Sequence, residues 1–552
     1  MLLYIPGCLP LPDLPMPDPS LLLLLAPAIY LLAALLPERL FAASPERRWS
    51  ISLGSAAVAT LIALACAATL VISGPMVEGV TLPGLPDVAL TLGLDSLTAV
   101  MLVLITGVAG LILRFSDRYL AGEQGRARYV RWFLATMAAV SLLVVTNDLL
   151  VLALAWTISS LTLHQLLTFF GDRAPALVAA HKKFLLSRVA DVMIFAAVFL
   201  IWRSMGTQRI DELSALASNM TTIPPAVQIA GLLLVTGVGI RSAQLPFHGW
   251  LIQVMEAPTP VSAFLHAGII NVGGFVLIRT SGLFGRLDAA QTLLVLAGTC
   301  TAVLAALVMT TRVSVKVSLA WSTAAQMGFM LLECGLGAYG LALLHLVAHS
   351  LYKAHAFLSS GRAVEQQLIR RMTPAAARTT GAHWTLGAIA SAAIVVALGQ
   401  PLGLRLDGEI GTIAAVLILA FALAPLFVIG IATGGRALVR AVVSASVLIA
   451  SYALGHAIFT MLAPDLHASP MMDVVRLAIV ALAFGALYIV QAAIAIDPMG
   501  RFARALYPAC FAGFYLDEIW TRYTFRLWPA RPLPLPTRVA GTGATTLREV
   551  RA

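Results

Sequence analysis

Long apolar runs recur along the chain, separated by short polar intervals. "LLLLLAPAIYLLAALL", "SAAVATLIALACAATLVI" and "DVVRLAIVALAFGALYIVQAAIAI" approach or reach the roughly 20 residues that cross a bilayer as a helix. About fifteen such segments start near residues 20, 50, 92, 130, 148, 183, 226, 260, 290, 316, 338, 384, 410, 437 and 473. The pattern predicts an all-α polytopic membrane protein with about 15 transmembrane helices. The first run has no basic segment before it and no small-residue cleavage site after it, which reads as a retained helix rather than a signal peptide. After Asp497 the pattern changes. "GRFARALYPACFAGFYLDEIWTRYTFRLWPARPLPLP" mixes Arg with Trp, Tyr and Phe at helical spacing, as in segments that lie in the membrane interface.

Composition agrees. Of the 552 residues, 60% are hydrophobic and 11% charged, with mean hydropathy +0.91, outside the range of soluble domains. The five cysteines are scattered without a CxxC pair, so a disulfide framework or thiolate metal site is not expected. The net charge of +10 describes topology better than a nucleic-acid partner. Basic residues cluster after the first, third, fifth, eleventh and thirteenth helices, for example Arg39, Arg47 and Arg48, then Arg114, Arg118, Arg126, Arg128 and Arg131. The connections "GPMVEGVTLPGLPD" and "APDLHASP" hold no Lys or Arg. This asymmetry puts the amino terminus outside and the carboxyl terminus in the cytoplasm.

Charged residues inside a membrane span cost about 2.5 to 3.5 kcal/mol each on insertion scales, so their positions are informative. In "HLVAHSLYKAHAF", His345, His349 and Lys353 fall on one helical face, an arrangement suited to a proton relay. The HxxxH spacing also suits zinc, but the Glu of HExxH is missing; a polar packing stripe is a third reading. In "KKFLLSRVADVMIF", Arg188 and Asp191 are i, i+3 neighbours that can neutralise each other. Lys316 lies beside a run of Ser, Thr and Gln. The stretch "RSAQLPFHGWLIQVMEAPTPVSAFLHAG" (241–268) combines Arg241, His248 and His266 with Pro246, Pro258 and Pro260. Pro246 should break the seventh helix, and the later prolines should delimit the start of the eighth. Interrupted backbone beside buried charge is typical of ion sites in transporters.

These motifs, together with "LGLDSLTAVMLVLITGVAGLI", resemble in order the antiporter-like membrane subunits of respiratory complex I and multisubunit cation/proton antiporters. The resemblance runs over about residues 90–365. It implies two inverted five-helix repeats with broken helices, and a central polar axis of Arg241, His266, Lys316, His345, His349 and Lys353, with Arg188, Asp191 and His248 beside it. Within that frame residues 1–90 are amino-terminal helices, 91–432 the antiporter-like core, 433–496 carboxyl-terminal helices and 497–552 a cytoplasmic or interfacial tail. Three departures stand out. Thr157 follows Trp156 where the family carries an acid, Arg241 replaces a lysine, and "GQPLGLRLDGEIG" lacks the pattern of the second broken helix.

The shorter length and the tail "GFYLDEIWTRYTFRLWP" are similar to the membrane subunits of two-part inorganic carbon transporters, the DabB type. That resemblance implies a non-enzymatic transport subunit of the bacterial inner membrane, without a cofactor or metal of its own. It would conduct H+ or Na+ and drive CO2 hydration by a large cytoplasmic zinc protein similar to a β-carbonic anhydrase, the DabA type. A proton-translocating subunit of a respiratory NADH:quinone oxidoreductase or antiporter is the alternative. An intramembrane metalloenzyme and an inert scaffold are further readings.

Overall fold

The computed structural model describes residues 19–82, 85–362, 378–406, 408–463 and 470–529. Arg370, Arg371 and the Pro-rich tail beyond Pro529 lie outside the described residues. In a bilayer the backbone must satisfy its own hydrogen bonds, which makes the apolar runs helical. The first half contains α1 (Pro19–Leu35), α2 (Pro45–Ser73), α3 (Ser96–Tyr119), α4 (Arg126–Val145), α5 (Leu149–Leu167), α6 (Ala174–Met205) and α7 (Pro225–Arg241). Next come α8 (Thr259–Ala267), α9 (Val272–Arg279), α10 (Asp288–Met309), α11 (Val315–Gly335) and α12 (Tyr339–Leu358). The chain continues with α13 (Gly381–Gly399), α14 (Ile410–Thr433), α15 (Arg436–Leu462), α16 (Pro470–Ile496), α17 (Arg501–Phe511) and α18 (Glu518–Leu527).

A helix begins within about nine residues of every expected start. Eleven helical segments among the described residues are long and apolar enough to cross a membrane, and α1 and α7 are shorter apolar helices. α11 and α12 are 21 and 20 residues long but carry the polar side chains described below.

Two features depart from expectation. The connection after α2 is not a plain loop: β1 (Met76–Leu82) and β2 (Leu85–Leu94) form an antiparallel hairpin with Met76 opposite Leu94. In β2, Leu90, Leu92 and Leu94 alternate with Thr91 and Gly93, the period-two spacing of a strand. Asp95 then caps α3 by accepting from Thr98 N at 2.8 Å, and Arg279 binds Asp95 at 2.5 Å. Secondly, the helix expected near residue 260 is interrupted. α8 and α9 are separated by Gly268 and a 3₁₀ turn over Ile269–Asn271.

Small residues set the closest helix contact. A β-carbon on Gly298 of α10 would stand 2.5 Å from Gly328 O of α11, and one on Gly328 would stand 2.7 Å from Ala302 N. Such contacts replace the hydrophobic drive that is absent between helices in lipid. Gly328→Val is therefore expected to lower stability by about 1–3 kcal/mol or more. The drop in Tm in detergent measures it, with Gly54→Val as the neutral control because nothing lies within 4 Å of Gly54.

Candidate ion-translocation path

The first polar group forms where α6 and α7 touch. A β-carbon on Gly237 would lie 3.2 Å from Ala190 O, so glycine lets the two backbones meet. One helical turn further on, Arg241 reaches Asp191 and forms an ion pair with it. Arg241 also donates through Nη1 to Trp156 O at 2.9 Å, with its guanidinium 4.7 Å from the Trp156 ring centre. Arg188 takes the other Asp191 oxygen at 2.8 Å. One carboxylate thus serves two guanidiniums, and it comes from α6, whereas Thr157 of α5 carries no acid. Lys183, also buried, donates to Ser160 Oγ at 2.7 Å and Ser160 O at 2.9 Å.

α7 stops at Arg241, and Ser242 caps it. Ala243 takes the left-handed conformation (φ 53°), which strains a residue with a β-carbon. Leu245 N donates to Thr301 Oγ1 of α10 at 3.1 Å. A five-residue helix, Gly249–Gln253, and a 3₁₀ turn, Val254–Glu256, lead to Pro258, which caps α8. Within this break Ser242 Oγ, Gln244 Oε1, His248 Nδ1 and Gln253 Oε1 are buried without a partner among the described residues, and such groups take water. His248 lies 4.8 Å from the Trp321 ring centre. Glu256 faces outward.

The second group spans α8, α9, α11 and α12. Glu333 Oε2 lies 2.9 Å from His345 Nδ1, and the His345 and His349 rings are 6.1 Å apart, edge to face. His349 Nδ1 meets Asn271 Oδ1 at 3.2 Å, and Asn271 Nδ2 donates to Ser350 Oγ at 2.7 Å. Lys353 Nζ donates to Ser322 Oγ at 2.8 Å and to Leu319 O at 3.1 Å. His266 Nδ1 meets Thr323 Oγ1 at 2.9 Å, and its ring stacks on Phe357 at 4.4 Å. Among the described residues the Nε2 atoms of His266, His345 and His349 are buried without a partner. Asn271 belongs to the 3₁₀ turn between α8 and α9, so that interruption brings an amide to His349. Ser242 Oγ, next to Arg241, occupies the place of a β-carbon on Gly273 of α9.

Residues 146–438 match the family described as NADH:quinone oxidoreductase/Mrp antiporter, TM, and residues 84–130 match the complex I chain 5 amino terminus. The chain belongs to this antiporter family. A Halothiobacillus neapolitanus protein named "Probable inorganic carbon transporter subunit DabB2" is 37% identical over 93% of this chain and 95% of its own length. A Hydrogenovibrio crunogenus protein named "Probable inorganic carbon transporter subunit DabB" is 48% identical over 55% of this chain, which spans 59% of that relative. NADH-quinone oxidoreductase subunit L of Escherichia coli is 33% identical over 50% of this chain and 46% of its own length. The fold is similar to the Mrp complex from Dietzia sp. DQ12-45-1b, with TM-score 0.56, 23% identity, and coverage of 93% of this chain and 57% of that one.

In this antiporter-family chain, Arg188, Asp191 and Arg241 form the first group, and His266, His345, His349 and Lys353 belong to the second. His248 lies in the break between α7 and α8. Lys316 joins neither. It stands half-buried at the first turn of α11 and has no hydrogen bond or ion pair among the described residues. Sequence reasoning missed Glu333, Lys183 and Asn271. The signal for Glu333 was present, since an acid inside "QMGFMLLECG" costs as much as a base there. As for zinc, among the described residues no three His, Cys, Asp or Glu side chains converge.

Asp191→Asn is expected to destabilise the protein by about 3–5 kcal/mol, because Arg241 would stay buried without a carboxylate. Asp191→Asn combined with Arg241→Met should recover most of that loss, with thermal melting in detergent as the readout.

Proposed function

We propose that this chain is the membrane subunit of an energy-coupled inorganic carbon uptake complex. It conducts H+ or Na+ down its gradient and so drives CO2 hydration by a large cytoplasmic zinc partner of the DabA type, similar to a β-carbonic anhydrase. The observation that carries the reading is the run Glu333, His345, His349, Asn271, with Lys353 held nearby by Ser322 and Leu319 O. Imidazoles change charge near neutral pH, and each here keeps one ring nitrogen open to a mobile proton carrier. Arg241 acts as a fixed positive charge, because a guanidinium keeps its proton. Lys316, one turn before Leu319 along α11, serves as an exit group for the ion.

In this reading about fifteen helices cross the bacterial inner membrane, with residues 91–432 as two inverted five-helix repeats. The amino terminus is outside, and the carboxyl terminus faces the cytoplasmic partner. The membrane subunit performs no covalent chemistry of its own. The relative matched over 95% of its length, which carries the transporter name, supports this over a respiratory role. The second reading, a proton-translocating subunit of an NADH:quinone oxidoreductase or cation/proton antiporter, draws on the half-chain match to subunit L.

Purification through this chain separates the two. A zinc-bearing soluble partner supports the first, whereas several hydrophobic partners without zinc support the second. His345→Ala and Lys353→Ala are each expected to lower gradient-dependent inorganic carbon uptake by about a hundredfold, the low end of what a positioned proton-transfer group contributes. Uptake at the unsubstituted level in both variants would refute the relay.

A further inference from the structure

The carboxyl-terminal segment does more than lie in the interface. It is fastened across the mouth of the broken helix. Trp528 stacks on His181 with ring centres 4.0 Å apart and planes at 9°. Trp520 packs on Phe247 at 4.9 Å, and Arg312 Nη2 donates to Cys510 O at 3.0 Å. Between these anchors the segment presents one carboxylate to the protein. Asp517 accepts from Lys182 Nζ at 2.8 and 3.0 Å and from Gln253 Nε2 at 3.2 Å. The Lys182 side chain is 1% exposed, while Asp517 keeps 26% of its own surface open.

The seat is shaped for that carboxylate. Its oxygen occupies the space a β-carbon on Gly249 would fill, so it rests on the backbone next to His248, whose Nδ1 has no partner among the described residues. An anchor for an amphipathic helix has no need of such a position. A surface ion pair would fasten the segment equally well without bringing an acid from more than 200 residues away into the break. Asp517 keeps a quarter of its surface open, and inside it bonds Gln253, whose Oε1, like Ser242 Oγ, Gln244 Oε1 and His248 Nδ1 in the same break, has no partner among the described residues.

We infer that Asp517 is a working carboxylate of the ion path, the exchange site at its tail-side mouth, and that Lys182 holds it in place between transfers. This inference rests on the ion-conducting reading above. The incoming H+ or Na+ displaces the Lys182 ammonium from the carboxylate and passes on toward His248, so the carboxyl-terminal segment is part of the conducting unit.

The complex purified through the full chain is placed in liposomes, and flux is read with entrapped pH-sensitive and Na+-sensitive dyes under an imposed gradient. Cleavage of the segment by added protease reports whether it stays docked. Asp517→Asn, which keeps the shape, is expected to lower flux by about tenfold or more with the segment still protected. The double variant Lys182→Gln with Asp517→Asn removes the unpaired buried ammonium and is expected to remain equally slow. Unsubstituted flux in either variant overturns the inference, and so does a loss of flux that coincides with cleavage of the segment, because Asp517 would then be an anchor. An unsubstituted complex that carries neither ion overturns the conducting reading itself and this inference with it.

Discussion

A charge in hydrocarbon must be paired, solvated or neutralised, and the contact of Arg241 with Asp191 is where this protein meets that constraint most directly. Removing an ion from water costs several kcal/mol even after relaxation, and the pair is almost completely buried. The cost is offset by geometry. Arg241 has a carboxylate, a backbone carbonyl and an aromatic face within reach, a set that matches its planar, multi-donor head. Gly237 makes the arrangement possible by letting α7 approach the backbone of α6 one turn earlier. The end of α7 follows from the same constraint, because the chain beyond Arg241 leaves helical geometry and exposes the polar atoms of Ser242 and Gln244 to the same region.

The second polar group follows another rule. Its members are mostly imidazoles, hydroxyls and an amide, with Glu333 and Lys353 at opposite ends of the set. Neutral groups of this kind are tolerated in a buried setting when each finds one good partner, and each histidine here does so through Nδ1. Their Nε2 atoms are buried without a partner among the described residues. A group fixed by strong pairing and a group held by single hydrogen bonds therefore lie side by side. Ser242, next to Arg241, packs against Gly273 of α9. The first group is built on ion pairs, and the second mostly on hydrogen bonds.

Much of this organisation is written in the order of the residues. The spacing of His345, His349 and Lys353 places them on one face of α12. The i, i+3 spacing of Arg188 and Asp191 gives the pair seen at 2.8 Å. Pro246 and Pro258 mark the break between α7 and α8. Other parts were not legible. The hairpin of β1 and β2 sits in a connection where membrane periodicity was the guide, and a two-strand alternation is a weak signal beside helices of 20 residues or more. The interruption between α8 and α9 contains no proline. It follows from Gly268 and from Asn271, whose amide bonds to Ala267 O, Ser350 and His349.

The chain by itself determined which segments are apolar, which of them carry ionisable groups and that prolines interrupt the chain after α7, because hydrophobic period, proline geometry and the cost of charge in lipid act within a few residues of one another. Only the tertiary structure decided which charges share a partner. Asp191 could have served Arg188 alone, but the close approach at Gly237 brings Arg241 to it as well. The resemblance put Lys316 and Lys353 on one axis, yet Lys316 stands at the first turn of α11 while Lys353 reaches across from α12 to the same helix. Asp517 joins Lys182 across more than three hundred residues. Pairing of this kind depends on the distance between helices, and that distance is set by packing and by the glycines at the contact, which local spacing does not encode.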